Sequence, residues 1–89
     1  MAWKVELSPA AERQLGKLDP QSLRRILQFL SSHVSQLENP RSIGQALQGE
    51  RFGAFWRYRI GDYRVICKIE DAETLILVLR IGHRREVYR

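Results

Sequence analysis

The fold is decided by residues 51–88, RFGAFWRYRIGDYRVICKIEDAETLILVLRIGHRREVY. Apolar and polar residues alternate along 55–60 and again along 63–69, which is typical of strands that bury one face. Between these segments, Gly61-Asp62 predicts a two-residue turn. The two segments are therefore expected to form an antiparallel hairpin.

A third strand is expected after this hairpin. Residues 70–73, EDAE, predict a second turn, and Thr74–Ile81 contains the apolar run LILVL. A continuous apolar run is typical of the centre of a sheet, where both faces are covered. Gly82 is expected to end the strand, and residues 84–88 are expected to continue as a short edge segment.

The residues before the sheet predict one strand and two helices. Residues 3–7 alternate as a strand does, and the pairs Ser8-Pro9 and Asp19-Pro20 each combine an N-cap residue with a proline that suits the first helical turn. The second helix is expected to end near Ser35, before a polar loop over residues 38–53. The apolar residues of the second helix form a single stripe at helical spacing: Leu23, Ile26, Leu27, Leu30 and Val34.

These elements predict an α+β fold for a single domain over residues 1–89. The expected order is strand, helix, helix and three strands, with an antiparallel sheet of about four strands and the helix hairpin on one of its faces. No apolar run approaches the ~20 residues that cross a bilayer. Because Glu6 and Pro9 also interrupt any signal-peptide core, we expect a cytoplasmic protein without membrane contact.

Cysteine and histidine content argues against a bound metal. Cys67 is the single cysteine, and with two widely separated histidines it fits no usual zinc-ligand spacing. Its position in an apolar strand predicts a buried thiol rather than a nucleophile. No metal or other cofactor is therefore expected. The net charge of +5 favours a polyanion or an acidic protein as partner.

Arginine recurs along all three strands of the sheet. Alternation places Arg57 and Arg59 on one side of their strand, and Arg64, Ile66 and Lys68 on one side of the next. The strand parities allow one common surface for Arg57, Arg59, Arg64, Arg80 and Arg84. A solvated basic face is the simpler interpretation for any single arginine. As a group with interleaved aromatic residues, they suit phosphates and unpaired bases, and so single-stranded RNA rather than duplex DNA.

Two motifs extend this interpretation. The segments WRYRIGDYRVI (56–66) and IGHRREVY (81–88), together with Leu47-Gln48-Gly49, resemble the RelE branch of the RelE/ParE toxin superfamily. The resemblance covers nearly the whole chain and implies a RelE-like fold of microbial RNase type. It also implies a type II toxin that cleaves mRNA in the ribosomal A site by attack of the ribose 2′-hydroxyl on its own phosphate, without a metal. Such chemistry requires a base, charge stabilisation at the phosphate and an acid for the leaving 5′-oxygen.

The same resemblance implies which residues form the site. Arg64, Arg84 and Tyr88 match active positions, whereas Arg57 or Arg59 stands where lysine is common and Gln45 stands where some relatives carry glutamate. Because arginine is a poor base and histidine titrates near pH 6.5, His83 or Arg84 is expected to carry protons. The expected catalytic set is Arg57, Arg59, Arg64, His83, Arg84 and Tyr88. The expected RNA-binding set is Tyr58, Tyr63, Arg80 and Arg85.

The partners implied by the resemblance are a cognate antitoxin with an acidic amphipathic helix, the 70S ribosome and mRNA. The complex with the antitoxin is expected to reach operator DNA through the antitoxin. Two alternatives remain open at this point. One is a ParE-like inhibitor of DNA gyrase, and the other is a degenerate member that binds only antitoxin or DNA.

Overall fold

The structure, a computed structural model, describes residues 2–47 and 54–83. Within these residues a five-stranded sheet has the strand order β1-β5-β4-β3-β2, and the helices lie on one of its faces. The elements are β1 (Lys4–Leu7), α1 (Pro9–Gly16), α2 (Pro20–Gln28), β2 (Gln45–Ala46), β3 (Phe55–Ile60), β4 (Tyr63–Glu70) and β5 (Leu75–His83). The α+β class and the helix-backed sheet are confirmed.

Both helices begin at the predicted caps. The Ser8 hydroxyl accepts a hydrogen bond from the Ala11 N–H at 3.0 Å, and an Asp19 carboxylate oxygen accepts one from the Ser22 N–H at 3.1 Å. A π-helical turn, Phe29–His33, and a 3₁₀ turn, Val34–Gln36, continue α2. The second helical segment therefore ends where the apolar stripe predicts.

The sheet is mixed, with five strands rather than about four antiparallel ones. β1 runs parallel to β5, from Lys4 opposite Leu75 to Leu7 opposite Val78, whereas the other neighbours are antiparallel. The pairing joins the first strand to the last, so no local pattern reports it. β2 is two residues long, too short for alternation to show, and it was assigned to a loop.

The prediction that Gly82 ends the third strand is wrong. β5 continues to His83, because Gly82 pairs with Arg64 and His83 pairs with Tyr63 on β4. The pairing compensates for the weak strand preference of glycine. The segment expected over residues 84–88 lies outside the described residues.

A β-bulge interrupts the pairing between β4 and β5. Ile66 lies opposite Arg80 and Cys67 lies opposite Val78, so Leu79 has no partner on β4. Beyond such an extra residue, the side chains of a strand change faces. Arg80 consequently leaves the side of the sheet that Val78 occupies.

The core lies between the sheet and the helices. Tyr58 and Val65 contribute from the sheet, where each is fully buried, and Ile26 contributes from α2. The cluster of buried residues consists of Ala11, Leu15, Ile26, Leu30, Val34, Tyr58, Ile60, Val65, Cys67, Ile76, Val78 and Ile81.

Candidate nucleic-acid interface

The face of the sheet opposite the helices carries four arginines on three adjacent strands. Arg57, Ile66 and Arg80 lie across from one another on β3, β4 and β5. In the next row Arg59 is paired with Arg64, and Arg64 with Gly82. We call the surface formed by Arg57, Arg59, Arg64 and Arg80 the arginine face. The structure thus brings these four together, with Arg80 placed there by the bulge at Leu79, whereas Arg84 lies outside the described residues.

Arg64 is the most enclosed of the four. Only 6% of the residue is exposed. Its Nη1 lies 3.4 Å from the Gly61 carbonyl oxygen and 3.3 Å from the Tyr63 carbonyl oxygen. These contacts hold the guanidinium beside the hairpin turn, whereas Arg59 and Arg80 are exposed to solvent. The face therefore combines an enclosed cation, Arg64, with two exposed ones, Arg59 and Arg80.

Gln45 on β2 orients Arg57. The two residues are paired across the strands, and Arg57 Nη2 donates a hydrogen bond to the Gln45 side-chain oxygen. Gly44 makes this approach possible, because it has φ of +84° and a Cβ there would lie 2.5 Å from the Arg57 carbonyl oxygen. Together with Arg59, these residues line a recess of about 210 Å³.

Lys68 is a further cation on the same face, and it belongs to neither the expected catalytic set nor the expected RNA-binding set. It lies opposite Phe55 and Leu77, one row from the row of Arg57 and Ile66. Diagonal neighbours in a sheet have Cα atoms about 7–8 Å apart, within reach of long side chains. The ammonium lies 3.8 Å from a Glu70 carboxylate oxygen. Its parity with Arg64 along β4 was the signal that could have identified it.

His83 lies on the other side of the sheet. It is paired with Tyr63, and the two rings meet edge to face with centroids 5.8 Å apart. Both residues line a cavity with residues of α1 and the turn after it. The prediction that His83 stands alongside the arginines is therefore wrong. The bulge at Leu79 sets the faces of the residues beyond it, and because Arg80 and His83 are three residues apart, alternation places them on opposite sides of the sheet.

Tyr58 is also not on the arginine face. It is fully buried, and its hydroxyl donates a hydrogen bond to the Pro40 carbonyl oxygen at 2.6 Å. Burial raises the pKa of this hydroxyl. Since the ring packs beneath the helices, with Phe29 edge-on at 6.1 Å, the prediction that Tyr58 stacks on RNA is wrong.

Cys67 behaves as predicted for a structural thiol. It is fully buried in the core, and burial raises its pKa to about 12. A thiol with this pKa stays protonated near neutral pH and is a weak nucleophile.

Three predicted site residues, Arg84, Arg85 and Tyr88, lie outside the described residues. In the described part, no helix has both the length and the apolar character needed to cross a membrane. Residues 2–47 and 54–83 also contain no group of three or more His, Cys, Asp or Glu placed to hold a metal ion.

Comparisons with known proteins agree on one family. Residues 5–88 match the family model described as the ParE toxin of the type II toxin–antitoxin system parDE. The chain is 34% identical to toxin RelG of Mycobacterium tuberculosis over 89 residues, which is 100% of this chain and 99% of that protein. It is 28% identical over 87 residues to toxin RelE of the same organism, covering 98% of this chain and 87% of that protein.

The fold also matches a solved structure of a toxin bound to its antitoxin. Similarity to the toxin–antitoxin complex RelBE2 of M. tuberculosis extends over 97% of this chain and 95% of the matched chain. The TM-score is 0.81 and the sequence identity is 29%.

Proposed function

The chain belongs to the RelE/ParE superfamily of toxins from type II toxin–antitoxin systems, and from this premise we propose that it is an endoribonuclease that cleaves mRNA in the ribosomal A site. The observation that carries the proposal is the arginine face. Arg57, Arg59 and Arg64 lie on the same face of two adjacent strands. Guanidinium forks match the geometry of phosphate oxygens.

The proposed reaction uses the substrate's own nucleophile. The ribose 2′-oxygen attacks the adjacent phosphorus while the bond to the 5′-oxygen breaks. The products are a 2′,3′-cyclic phosphate and a 5′-hydroxyl end. Negative charge develops on the non-bridging oxygens during this step, and donors held in place beforehand stabilise it most. Arg64, enclosed beside the turn, and Arg57, held by Gln45, meet that requirement.

A base must accept the proton of the 2′-hydroxyl. Arginine keeps its proton at working pH, and His83 lies beyond the sheet. We assign this proton transfer to Lys68, which shares the face of the sheet with Arg57 and Arg64. Arg84 and Tyr88 remain part of the proposal through the family resemblance alone. Arg84 is assigned to hydrogen bonding and charge stabilisation at the leaving 5′-oxygen, which takes its proton from water, and Tyr88 is assigned to positioning of the nucleotide.

The proposal includes an antitoxin partner. The RelBE2 toxin of M. tuberculosis was solved in a complex with its antitoxin, and a chain of net charge +5 suits an acidic amphipathic helix. Contact with operator DNA would then pass through the antitoxin. The 70S ribosome and its mRNA complete the proposed set of partners.

A second candidate, inhibition of DNA gyrase without RNA cleavage, is kept because the matching family model is that of ParE. The two functions separate in one experiment with purified protein. Half of the sample is added to ribosomes programmed with a defined mRNA, and half to a gyrase supercoiling reaction. We expect mRNA cleavage by wild type, loss of cleavage in Arg64→Ala and unchanged supercoiling. Inhibited supercoiling with intact mRNA would select the second candidate.

A further inference from the structure

A cavity of about 370 Å³ lies on the helix side of the sheet, behind one end of the arginine face. Tyr63 and His83 form one wall, and α1 and the turn after it form the other. We call it the Tyr63 pocket, and its lining residues are Gln14, Lys17, Leu18, Tyr63, Ile81, Gly82 and His83. The volume lies near the lower end of the range for small-ligand sites.

The chemistry of the Tyr63 pocket is mixed. Tyr63 and His83 contribute two aromatic rings held edge to face at 82°, and Leu18 and Ile81 contribute apolar surface. Lys17 contributes a cation from an exposed position, and among residues 2–47 and 54–83 no carboxylate lines the pocket. A ring system for stacking beside a cation is what one nucleotide requires, since its base is flat and apolar on both faces and its phosphate is anionic.

The Tyr63 pocket and the arginine face lie on opposite sides of the sheet at the same end of β5. Gly82 lies next to Arg64 in the arginine row and also lines the pocket. β1 pairs with β5 only as far as Val78. Beyond Val78, side chains rather than a neighbouring strand contact the backbone at this edge of β5. There the Gln14 side-chain oxygen accepts a hydrogen bond from the Ile81 N–H at 2.6 Å. Gly82 thus places the two sites on opposite faces of the same stretch of β5.

We propose that the Tyr63 pocket binds one nucleotide of the RNA strand that flanks the phosphate held on the arginine face. The base packs against Tyr63 and His83, and Lys17 neutralises the phosphate. This inference rests on the proposed function for its ligand class.

The test is a binding measurement that needs no ribosome. The probe is a fluorescein-labelled hexauridine with 2′-O-methyl riboses, which lack the nucleophile and cannot be cleaved. Its affinity is measured by anisotropy at several salt concentrations for wild type, Lys17→Met and Arg13→Met. Arg13 is the matched control, because it is exposed on the same helix, carries the same charge and does not line the pocket. The Lys17 backbone N–H that caps α1 is retained in the variant.

We expect Lys17→Met to weaken binding roughly fivefold and to lower the slope of log affinity against log salt by about 0.7, as for one lost phosphate contact. Arg13→Met should leave both quantities close to wild type. Equal effects of the two variants, or no measurable binding by wild type at low salt, would overturn the inference.

The stacking role has its own readout. A set of probes carries one abasic site each, at successive positions, and the affinity of each is measured for wild type and for Tyr63→Leu. The leucine keeps apolar volume against the core. The quantity compared is the largest loss of affinity that an abasic site causes in each protein. For wild type, an abasic site at one position should lower the affinity about fivefold or more. For Tyr63→Leu, this loss of affinity should disappear. An abasic penalty that is unchanged in Tyr63→Leu would contradict the assignment.

The outcome is separable from that of the proposed function. Wild type that binds RNA through Lys17 and Tyr63 but leaves ribosomal mRNA intact would refute cleavage and keep the pocket. Wild type that cleaves mRNA while Lys17→Met and Arg13→Met bind alike would refute the pocket and keep cleavage.

Discussion

Arg59 and Arg64 are paired directly across the β3–β4 hairpin, so that two positive charges share one position of the arginine face. Like charges opposite each other destabilise a sheet, and Arg64 is only 6% exposed. The arrangement therefore works against stability and is consistent with selection for an anionic ligand. Functional sites commonly carry such a cost.

Replacing Arg59 by threonine should separate stability from activity. Arg59→Thr removes the repulsion and introduces a residue with good strand preference, so the free energy of unfolding should rise by about 0.5 kcal/mol. Cleavage of ribosomal mRNA should fall. Urea denaturation measures the first effect. Arg80→Thr is the control, because Arg80 lies opposite Ile66 and its removal relieves no paired charge. A loss of stability in Arg59→Thr would contradict the repulsion.

Tyr58 should matter for folding rather than for RNA. Tyr58→Phe removes the donor to the Pro40 carbonyl oxygen and leaves that acceptor in a buried place, where the loss costs about 1–3 kcal/mol. The midpoint of urea unfolding should drop accordingly, while affinity for the hexauridine probe stays unchanged. Tyr63→Phe, whose ring is only partly buried, should leave the midpoint nearly in place. Equal shifts in the two variants would show that the buried bond contributes little.

The ion pair between Arg41 and Asp71 predicts a dependence of stability on pH. Two parallel bonds of 2.9 Å join the guanidinium to the carboxylate, and the hydrogen bond from Arg41 lowers the pKa of Asp71. A carboxyl with a lowered folded pKa stabilises the fold above its unfolded pKa of about 3.9. That contribution is lost as pH falls through the folded value.

Asp71→Asn should therefore destabilise the protein at neutral pH by less than about 1 kcal/mol, since the Asp71 side chain is 63% exposed. The difference from wild type should shrink as pH approaches about 3. Thermal melts of both proteins between neutral pH and pH 3 measure it. A difference that is constant across this range would exclude the ion pair as its source.

Lys68 can be tested as a proton carrier by two substitutions. Lys68→Arg keeps the charge but not the ability to lose a proton, and Lys68→Met removes both. If Lys68 is the base, each should slow cleavage by about 10²–10⁴-fold under single-turnover conditions. Lys4→Met is the control, since Lys4 lies on the edge strand in an ion pair with Glu6 at 3.2 Å. Full activity of Lys68→Arg would show that Lys68 contributes a positive charge and does not accept the proton.

Alternation in the sequence predicted most of the arginine face. It succeeded on β3 and β4 because every residue from Phe55 to Ile60 has a partner on the next strand, so the side of each side chain follows from its number. The same rule had already placed Tyr58 on the side away from Arg57. Its assignment to RNA followed residue type rather than parity, which is why it failed.

The faces of β5 depend on a further feature. Counting without interruption from Leu77 puts His83 on the arginine face and Arg80 on the helix side, and the bulge at Leu79 exchanges the two. The Leu79 carbonyl oxygen accepts a hydrogen bond from the Ser8 hydroxyl, with 2.9 Å between the two oxygens. This bond joins residues that are distant in sequence. Pairing between distant residues also determines the parallel neighbour of β5. Such features depend on the assembled sheet, and local patterns do not contain them.

The most direct test of RNA cleavage by the arginine face replaces a single oxygen of the substrate. A ribosomal complex is programmed with an mRNA whose A-site codon is all ribose, or carries a 2′-deoxynucleotide on the 5′ side of the cleaved bond. Wild type should cut the first, leaving a 2′,3′-cyclic phosphate, and leave the second intact, and Arg64→Ala should cut neither. Cleavage of the deoxy mRNA, or no cleavage of either by wild type, would contradict the proposed reaction.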